Sequence, residues 1–151
     1  MSKHHAKFDI SQAGEFIFLG TNLCCIKKSH IQILHDANID AEIDLEEERQ
    51  ETMPGVSIYL WLPVKDKTAP SQEQLDAAVA LMSKMVSLQK RIYVHCKYGH
   101  GRSPTVVAAY FISRGKTVGE AIEEVERARP EVHIEEKQRS ALGKYYDRVN
   151  R

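Results

Sequence analysis

One stretch of ten residues, His95 to Pro104, carries the side chains of this chain that are best suited to chemistry. Cys96 is followed after five residues by Arg102, and Ser103 comes directly after the arginine. A cysteine thiolate is a nucleophile, and the planar guanidinium of arginine can bind two oxygens of one phosphate group. This spacing predicts a cysteine that attacks a phosphate ester held by the arginine.

The residues between Cys96 and Arg102 are expected to cradle that phosphate. Five intervening residues allow the chain to curl so that successive backbone N–H groups converge on one point. Gly99 and Gly101 are predicted to adopt the positive φ angles that such a curl requires. The predicted phosphate-binding residues are Lys97, Tyr98, Gly99, His100, Gly101 and Arg102.

The helix predicted to follow this loop should activate the cysteine. A free thiol has a pKa of about 8.5, and a helix N-terminus with nearby cations lowers it to about 3.5–7.5. Arg102 is such a cation, and the helix dipole points at the loop. We expect the Ser103 hydroxyl to hydrogen-bond the Cys96 sulfur and help it to leave. His95 is expected to orient the loop through its ring N–H, a role compatible with that of an ordinary buried histidine at a strand end.

The proton for the leaving group must come from elsewhere in the chain. Asp66 lies in a loop after a predicted strand, so it can reach the same edge of the sheet as Cys96. A carboxylic acid there could protonate the leaving oxygen and then accept a proton from water. The alternative is a solvated aspartate between Lys65 and Lys67, and the cysteine loop downstream favours the catalytic role.

The order of predicted elements is that of an α/β protein. Strands are expected at residues 16–19, 41–45, 56–62 and 91–95, and helices are expected to begin near residues 29, 71, 104 and 117, with a last helix over 141–149. This order predicts a single domain with a small, mostly parallel sheet flanked by helices. The strand ending at His95 places Cys96 at the carboxyl edge of the sheet, where ligands bind. We assign residues 1–14 to a flexible tail and 15–151 to the catalytic domain.

Composition limits the function classes. The 151 residues include 21 Lys+Arg and 21 Asp+Glu, and this neutral balance predicts no nucleic-acid partner. No apolar run approaches the roughly 20 residues of a membrane span, and the N-terminus has no signal-peptide pattern. Three cysteines suit a reducing compartment. We therefore expect a cytoplasmic protein, monomeric by default, and we expect the charge run over residues 46–51 to be solvated.

The motif from His95 to Ser103 resembles the His-Cys-x-x-Gly-x-x-Arg-Ser/Thr signature of the protein tyrosine phosphatase superfamily. A Leu-Pro-x-x-Asp loop ending at Asp66 resembles the general-acid loop of small dual-specificity phosphatases, and the resemblance spans roughly residues 15–146. It implies a phosphatase-like fold and a two-step mechanism without metal or cofactor. In that mechanism Cys96 is the nucleophile, Arg102 binds phosphate, Asp66 is the general acid and Ser103 assists the second step.

The resemblance leaves the substrate open. A shallow cleft would admit phosphotyrosine, phosphoserine and phosphothreonine of a protein partner. Lys97 and His100 are similar to basic residues in the loop of phosphoinositide phosphatases, so a phosphoinositide, another phospholipid or a nucleotide is the alternative. A catalytically inactive phosphate-binding module is a third hypothesis, disfavoured because every catalytic residue type is present. In some relatives a second cysteine protects the nucleophile in a disulfide, a role that Cys24 or Cys25 could take here.

Overall fold

Strands and helices alternate along the chain in the computed structural model, which describes residues 9–22, 28–50 and 55–151. The strands are β1 (Ile10–Gln12), β2 (Ile17–Gly20), β3 (Ile39–Glu46), β4 (Ile58–Val64) and β5 (Arg91–His95). The helices are α1 (Lys28–Asp36), α2 (Gln72–Ser87), α3 (Arg102–Ser113), α4 (Val118–Ala128) and α5 (Glu136–Val149).

The five strands form one sheet in the order β1-β2-β5-β3-β4. Only the β1–β2 pairing is antiparallel among these described strands, and the other three pairings are parallel. The predicted α/β domain with a mostly parallel sheet is therefore confirmed. β5 lies at the centre of the sheet, so its carboxyl end, at His95, opens between the ends of β2 and β3.

The main core lies between the sheet and α2 to α5. Alternate residues of the central strands face it, among them Leu19, Ile43 and Val94, all fully buried. Ten of the twelve residues of α3 are buried, which confirms the prediction that this nearly all-apolar helix is central. On the other face of the sheet a smaller cluster joins Phe18 and Tyr93 to Leu34 of α1.

Helix boundaries follow the capping pattern of the sequence. The Ser71 and Thr117 side chains accept hydrogen bonds from the backbone N–H of Gln74 and Glu120. Those two side chains bond back to the backbone of the cap residues, so both predicted capping boxes are present. None of the helices among the described residues has the length and apolar character of a membrane-crossing segment.

Two predicted boundaries are wrong. Residues 10–12, which we had assigned to a flexible tail, form β1 and pair with β2. β4 runs through Pro63 to Val64, where the strand was expected to end. A proline is tolerated there because β4 is an edge strand, so a missing N–H on its open side breaks no ladder.

Candidate active site

The loop between β5 and α3 forms the floor of a cavity of about 300 Å³. β5 ends at His95 and α3 begins at Arg102, so the loop joins the carboxyl end of a central strand to a helix N-terminus. This is the strand–loop–helix context that the sequence predicts. The described residues lining the cavity are Asp66, Lys67, Cys96, Tyr98, His100, Gly101, Arg102, His133, Glu135 and Gln138.

Cys96 is a free thiol with only 2% of its surface exposed. Its Sγ lies 3.3 Å from the Oγ of Ser103, which is fully buried in the first turn of α3. The structure thus brings the predicted nucleophile and the predicted assisting hydroxyl into contact. Cys24 and Cys25, the candidates for a protective disulfide, lie outside the described residues.

Arg102 is held by acceptors from two other segments. Its Nη1 donates to the Val64 carbonyl at 2.8 Å, and Nη1 and Nη2 donate to the two carboxylate oxygens of Glu48 at 2.6 and 3.0 Å. Within the described residues, its buried Nε has no hydrogen-bond partner. A guanidinium fixed by these contacts, with one donor unpaired among the described residues and its side chain lining the cavity, is suited to bind an anion.

The loop carbonyls are turned away from the cavity. Lys97 O accepts the backbone N–H of Asn22, and His100 O accepts that of His133. Arg129, whose side chain is 2% exposed, donates from Nη2 to Tyr98 O at 2.9 Å and from Nε to Gly99 O at 3.0 Å. Since N–H and C=O point in opposite directions across each planar peptide, these contacts direct the intervening N–H groups toward the cavity. This arrangement is compatible with the predicted nest for an anion.

The two loop glycines serve different purposes. Gly99 has the predicted positive φ, +71°, and a Cβ there would lie 2.7 Å from the backbone of Gly20. Gly101 does not: its φ is −136°, so the expectation of a positive angle is wrong. A Cβ at Gly101 would instead lie 2.9 Å from the side-chain amide of Gln138, which packs against the loop.

Asp66 lies at the rim of the cavity, with 62% of its side chain exposed. Its Oδ1 accepts the Lys67 N–H at 2.9 Å and is 3.7 Å from Arg102 Nη2. The structure therefore brings Asp66 to the site of Cys96, as the strand order predicted.

The basic residues of the loop are placed differently from one another. His100 lines the cavity, and its ring stacks on that of Tyr98 at 5.8 Å. Lys97 is absent from the described lining, and its Nζ lies 5.2 Å from the centre of the Tyr98 ring. Of the two predicted basic contacts for an extra phosphate, only His100 faces the cavity.

His95 is fully buried behind the loop and bonds through Nε2 to the carboxylate of Glu42. This contact joins the ring to β3. Glu42, Asp44 and Glu46 all point to this face of β3 and are buried. The expectation of a solvated charge run is therefore wrong for Glu46, where burial, followed by the Asp44 charge, raises the pKa of the carboxyl group.

Three residues of the site were missed by sequence reasoning. Glu48 sits in the charge run interpreted as solvent-exposed, Arg129 was interpreted only as a helix end, and Gln138 was noted only as a match to a family pattern. Gln138 accepts the Glu135 N–H and donates to Thr68 O, so it links α5 to the Asp66 loop.

The Glu48–Arg102 pair predicts a pH-dependent contribution to stability. The hydrogen bond from Arg102 lowers the pKa of Glu48 below the ordinary value of a glutamate. A carboxylate with a lowered folded pKa stabilises above its unfolded pKa, and this contribution is lost as the pH falls through the folded value. Because Glu48 is part-exposed, we expect Glu48→Gln to lower the free energy of unfolding by about 1 kcal/mol at pH 7. This difference from wild type should shrink below about pH 4.5.

Urea unfolding of both proteins between pH 3 and 7 measures this difference. Glu47→Gln, which removes an exposed carboxylate next in sequence, is the charge-matched control. A Glu48→Gln penalty that is the same at pH 3 and pH 7 would contradict the ion-pair interpretation.

Known proteins resemble this chain over most of its length. The family model "Polymorphic toxin system, DSP-PTPase phosphatase" matches residues 22–116. Phosphatidylglycerophosphate phosphatase PTPMT2 of Arabidopsis thaliana is 37% identical over 107 residues, covering 65% of this chain and 47% of its own. Phosphatidylglycerophosphatase and protein-tyrosine phosphatase 1 of Homo sapiens is 30% identical over 129 residues, covering 78% of this chain and 64% of its own. The chain therefore spans about half to two thirds of the length of these relatives.

A solved structure of PTPMT1 in complex with PI(5)P has the same fold. It aligns with a TM-score of 0.82 and 26% identity, covering 93% of this chain and 96% of that one. The family match includes the whole loop from Cys96 to Arg102 together with Asp66. The chain belongs to the DSP-PTPase phosphatase family.

Proposed function

We propose that this protein hydrolyses phosphate monoesters through a covalent intermediate on Cys96. The observation that carries the proposal is that the four loop carbonyls from Lys97 to His100 are bonded to groups outside the loop, which supports an anion nest of backbone N–H groups at Cys96. N–H groups and a guanidinium directed at one point stabilise charge on a phosphoryl group without having to rearrange.

In the first step, the Cys96 thiolate attacks phosphorus and a sulfur–phosphorus bond forms as the ester P–O bond breaks. The leaving oxygen takes a proton from the carboxylic acid of Asp66, which becomes a carboxylate. Arg102 binds the non-bridging oxygens in this proposal, which is supported by its Nε being without a partner among the described residues. The products of this step are the free alcohol or phenol and the cysteinyl-phosphate.

In the second step, water attacks phosphorus and the sulfur–phosphorus bond breaks. The Asp66 carboxylate accepts a proton from that water, so the acid of the first step is restored. The departing thiolate receives a hydrogen bond from Ser103 Oγ, which lies 3.3 Å from the sulfur. This contact makes the sulfur a better leaving group, and inorganic phosphate is released.

For the substrate, phosphoproteins were the first expectation, and the relatives favour the alternative. One curated relative is named a phosphatidylglycerophosphate phosphatase, another a phosphatidylglycerophosphatase and protein-tyrosine phosphatase, and a structural neighbour was solved with PI(5)P. We propose that the phosphate monoester of a lipid headgroup is the preferred substrate. The exposed ring of Tyr98 and the cavity-facing His100 are suited to contact the polar headgroup beyond the phosphate.

A panel of substrates tests this preference through kcat/KM. We expect phosphatidylglycerophosphate or a phosphoinositide in mixed micelles to exceed phosphotyrosine and phosphoserine peptides and nucleotides by about 100-fold, the discrimination available from one or two headgroup contacts. Equal or higher kcat/KM values for the peptides would indicate a phosphatase of phosphoproteins and would contradict the lipid preference. They would leave the proposed reaction on Cys96 unchanged.

Substitutions of Cys96 and Asp66 test the reaction itself. Cys96→Ser should abolish hydrolysis of 4-nitrophenyl phosphate while phosphate binding is retained. Asp66→Asn should lower kcat for an alkyl phosphate by about 10²–10⁴, the range of general acid catalysis, and much less for the aryl phosphate, whose leaving group needs no proton. Asp147→Asn, at an exposed position of α5, is the control and should change neither rate. Equal losses by Asp66→Asn on both substrates would remove Asp66 from its role.

Arg129 is proposed as a positioning residue, since it acts through the loop carbonyls. Arg129→Lys keeps the charge and loses the fork that reaches Tyr98 O and Gly99 O together, so each lost bond from a charged donor should cost about 1.5–3 kcal/mol. We expect orthovanadate affinity and kcat/KM to fall together by at least about tenfold. Arg127→Lys, at an exposed pair with Glu124, is the matched control. Wild-type vanadate affinity in Arg129→Lys would show that the loop holds its shape without the fork.

A further inference from the structure

Behind the cysteine loop, a face of β3 buries several ionisable side chains that the proposed reaction does not use. Glu42 and Asp44 are fully buried, and Glu46 is 2% exposed. The imidazole of His95, from the neighbouring strand β5, lies among them and is fully buried. Their positions i, i+2 and i+4 on one strand place all three carboxylates on the same face of the sheet.

Three of these groups are close enough to share one ion. A carboxylate oxygen of Asp44, one of Glu46 and a ring nitrogen of His95 all lie within 4.8 Å of one another. His95 Nδ1 is 3.9 Å from Asp44 Oδ1. With metal–ligand bonds of about 2.1 Å, neighbouring ligand atoms lie about 3.0–3.4 Å apart, so binding an ion requires these side chains to draw together by up to about 1–2 Å.

Two buried side-chain oxygens at this cluster accept no hydrogen bond from the described residues. Within the described part of the chain, Glu46 Oε1 and Asn22 Oδ1 have no hydrogen-bond partner. Asn22 is 4% exposed, and its Nδ2 donates to the other carboxylate oxygen of Glu46 at 3.2 Å. The Asn22 amide thus contacts the cluster through its nitrogen, and its unpaired oxygen is a candidate neutral ligand.

His95 and Asp44 also make the kind of hydrogen bonds that orient the ligands of a metal site. His95 Nε2 bonds to the Glu42 carboxylate, the arrangement that fixes the ring of a metal-binding histidine. Asp44 accepts the Tyr59 hydroxyl at 2.5 Å and the Glu46 N–H at 2.9 Å. Buried carboxylates in excess over buried cations require either protons or a bound cation.

We propose that Asp44, Glu46 and His95, with the Asn22 amide oxygen, bind a divalent cation of the Mn²⁺ type. Two carboxylates, one imidazole and one amide oxygen are ligands that suit Mn²⁺ better than thiol-seeking metals. The ion would lie on the far side of the loop from the cavity and take no part in phosphoryl transfer. It would tie β3 to β5 and to Asn22, whose backbone N–H holds Lys97 O of the loop.

Mn²⁺ binding to the whole chain tests the proposal by two readouts that do not involve activity. Protein treated with EDTA and freed of it by gel filtration is titrated with MnCl₂, and the bound ion is counted by electron paramagnetic resonance. The expected result is one ion per chain and a Tm raised by about 5 °C or more at a 100-fold excess over Kd. No bound ion and a Tm shift under about 1 °C at millimolar Mn²⁺ would overturn the proposal.

The double variant Asp44→Asn with Glu46→Gln should lose both the ion and the shift. Glu123→Gln with Glu126→Gln changes the charge equally at exposed positions of α4 and should keep both. If the double variant does not fold, the single variant Glu46→Gln, expected to weaken Mn²⁺ binding at least tenfold, replaces it. An undiminished Mn²⁺ affinity in either variant would place the ion elsewhere and contradict the assignment, and it would leave the proposed reaction untouched.

Discussion

The site depends on one constraint, which is that the carbonyl groups of the loop after Cys96 must point away from the sulfur. A peptide oxygen directed inward would repel both the thiolate and the phosphate. Three separate elements prevent this: Arg129 at the end of α4 holds two carbonyls, and the backbone N–H groups of Asn22 and His133 hold one each. The close approach of Gly99 to the backbone of Gly20 belongs to the same arrangement, because a side chain at Gly99 would push the loop out of place.

The charges around the loop are arranged in two layers. On the side of the cavity, the Arg102 guanidinium is anchored by Glu48 and by Val64 O, while its Nε stays available among the described residues. This anchoring fixes the arginine side chain before any substrate binds, so binding costs little side-chain conformational entropy. On the far side, the buried carboxylates of β3 surround His95 and hold the strand end from which Cys96 follows. The loop is thus supported by ionic contacts on both sides, which explains how a segment without regular secondary structure can keep one shape.

The sequence was most informative where a local rule applies. The order of strands and helices, both capping boxes and the strand–loop–helix position of Cys96 follow from short-range patterns, and the structure has them all. Ser103 and Asp66 were correctly placed for the same reason, since one is adjacent to the loop and the other follows a parallel strand.

The failures concern contacts between distant segments. Glu46 was predicted to be solvated because it begins a charge run. In the structure it is the last residue of β3, and its side chain is buried against the sheet. Arg129 and Glu48 lie 30 and 54 residues from their partners in and after the loop, and no pattern in a single sequence specifies such pairs. Gly101 shows a subtler error. The position does favour glycine, but the reason is the close packing of Gln138 and not a positive φ.

The central claim is that the Cys96 sulfur accepts the phosphoryl group, and rapid acid quenching with mass spectrometry tests it most directly. Enzyme mixed with an aryl phosphate and quenched within milliseconds should carry one phosphoryl group, mapped to the peptide that contains Cys96. Asp66→Asn should accumulate more of this species because hydrolysis of the intermediate is slowed. Turnover with no phosphorylated enzyme in either protein, or a phosphoryl group mapped to another residue such as His100, would contradict the account.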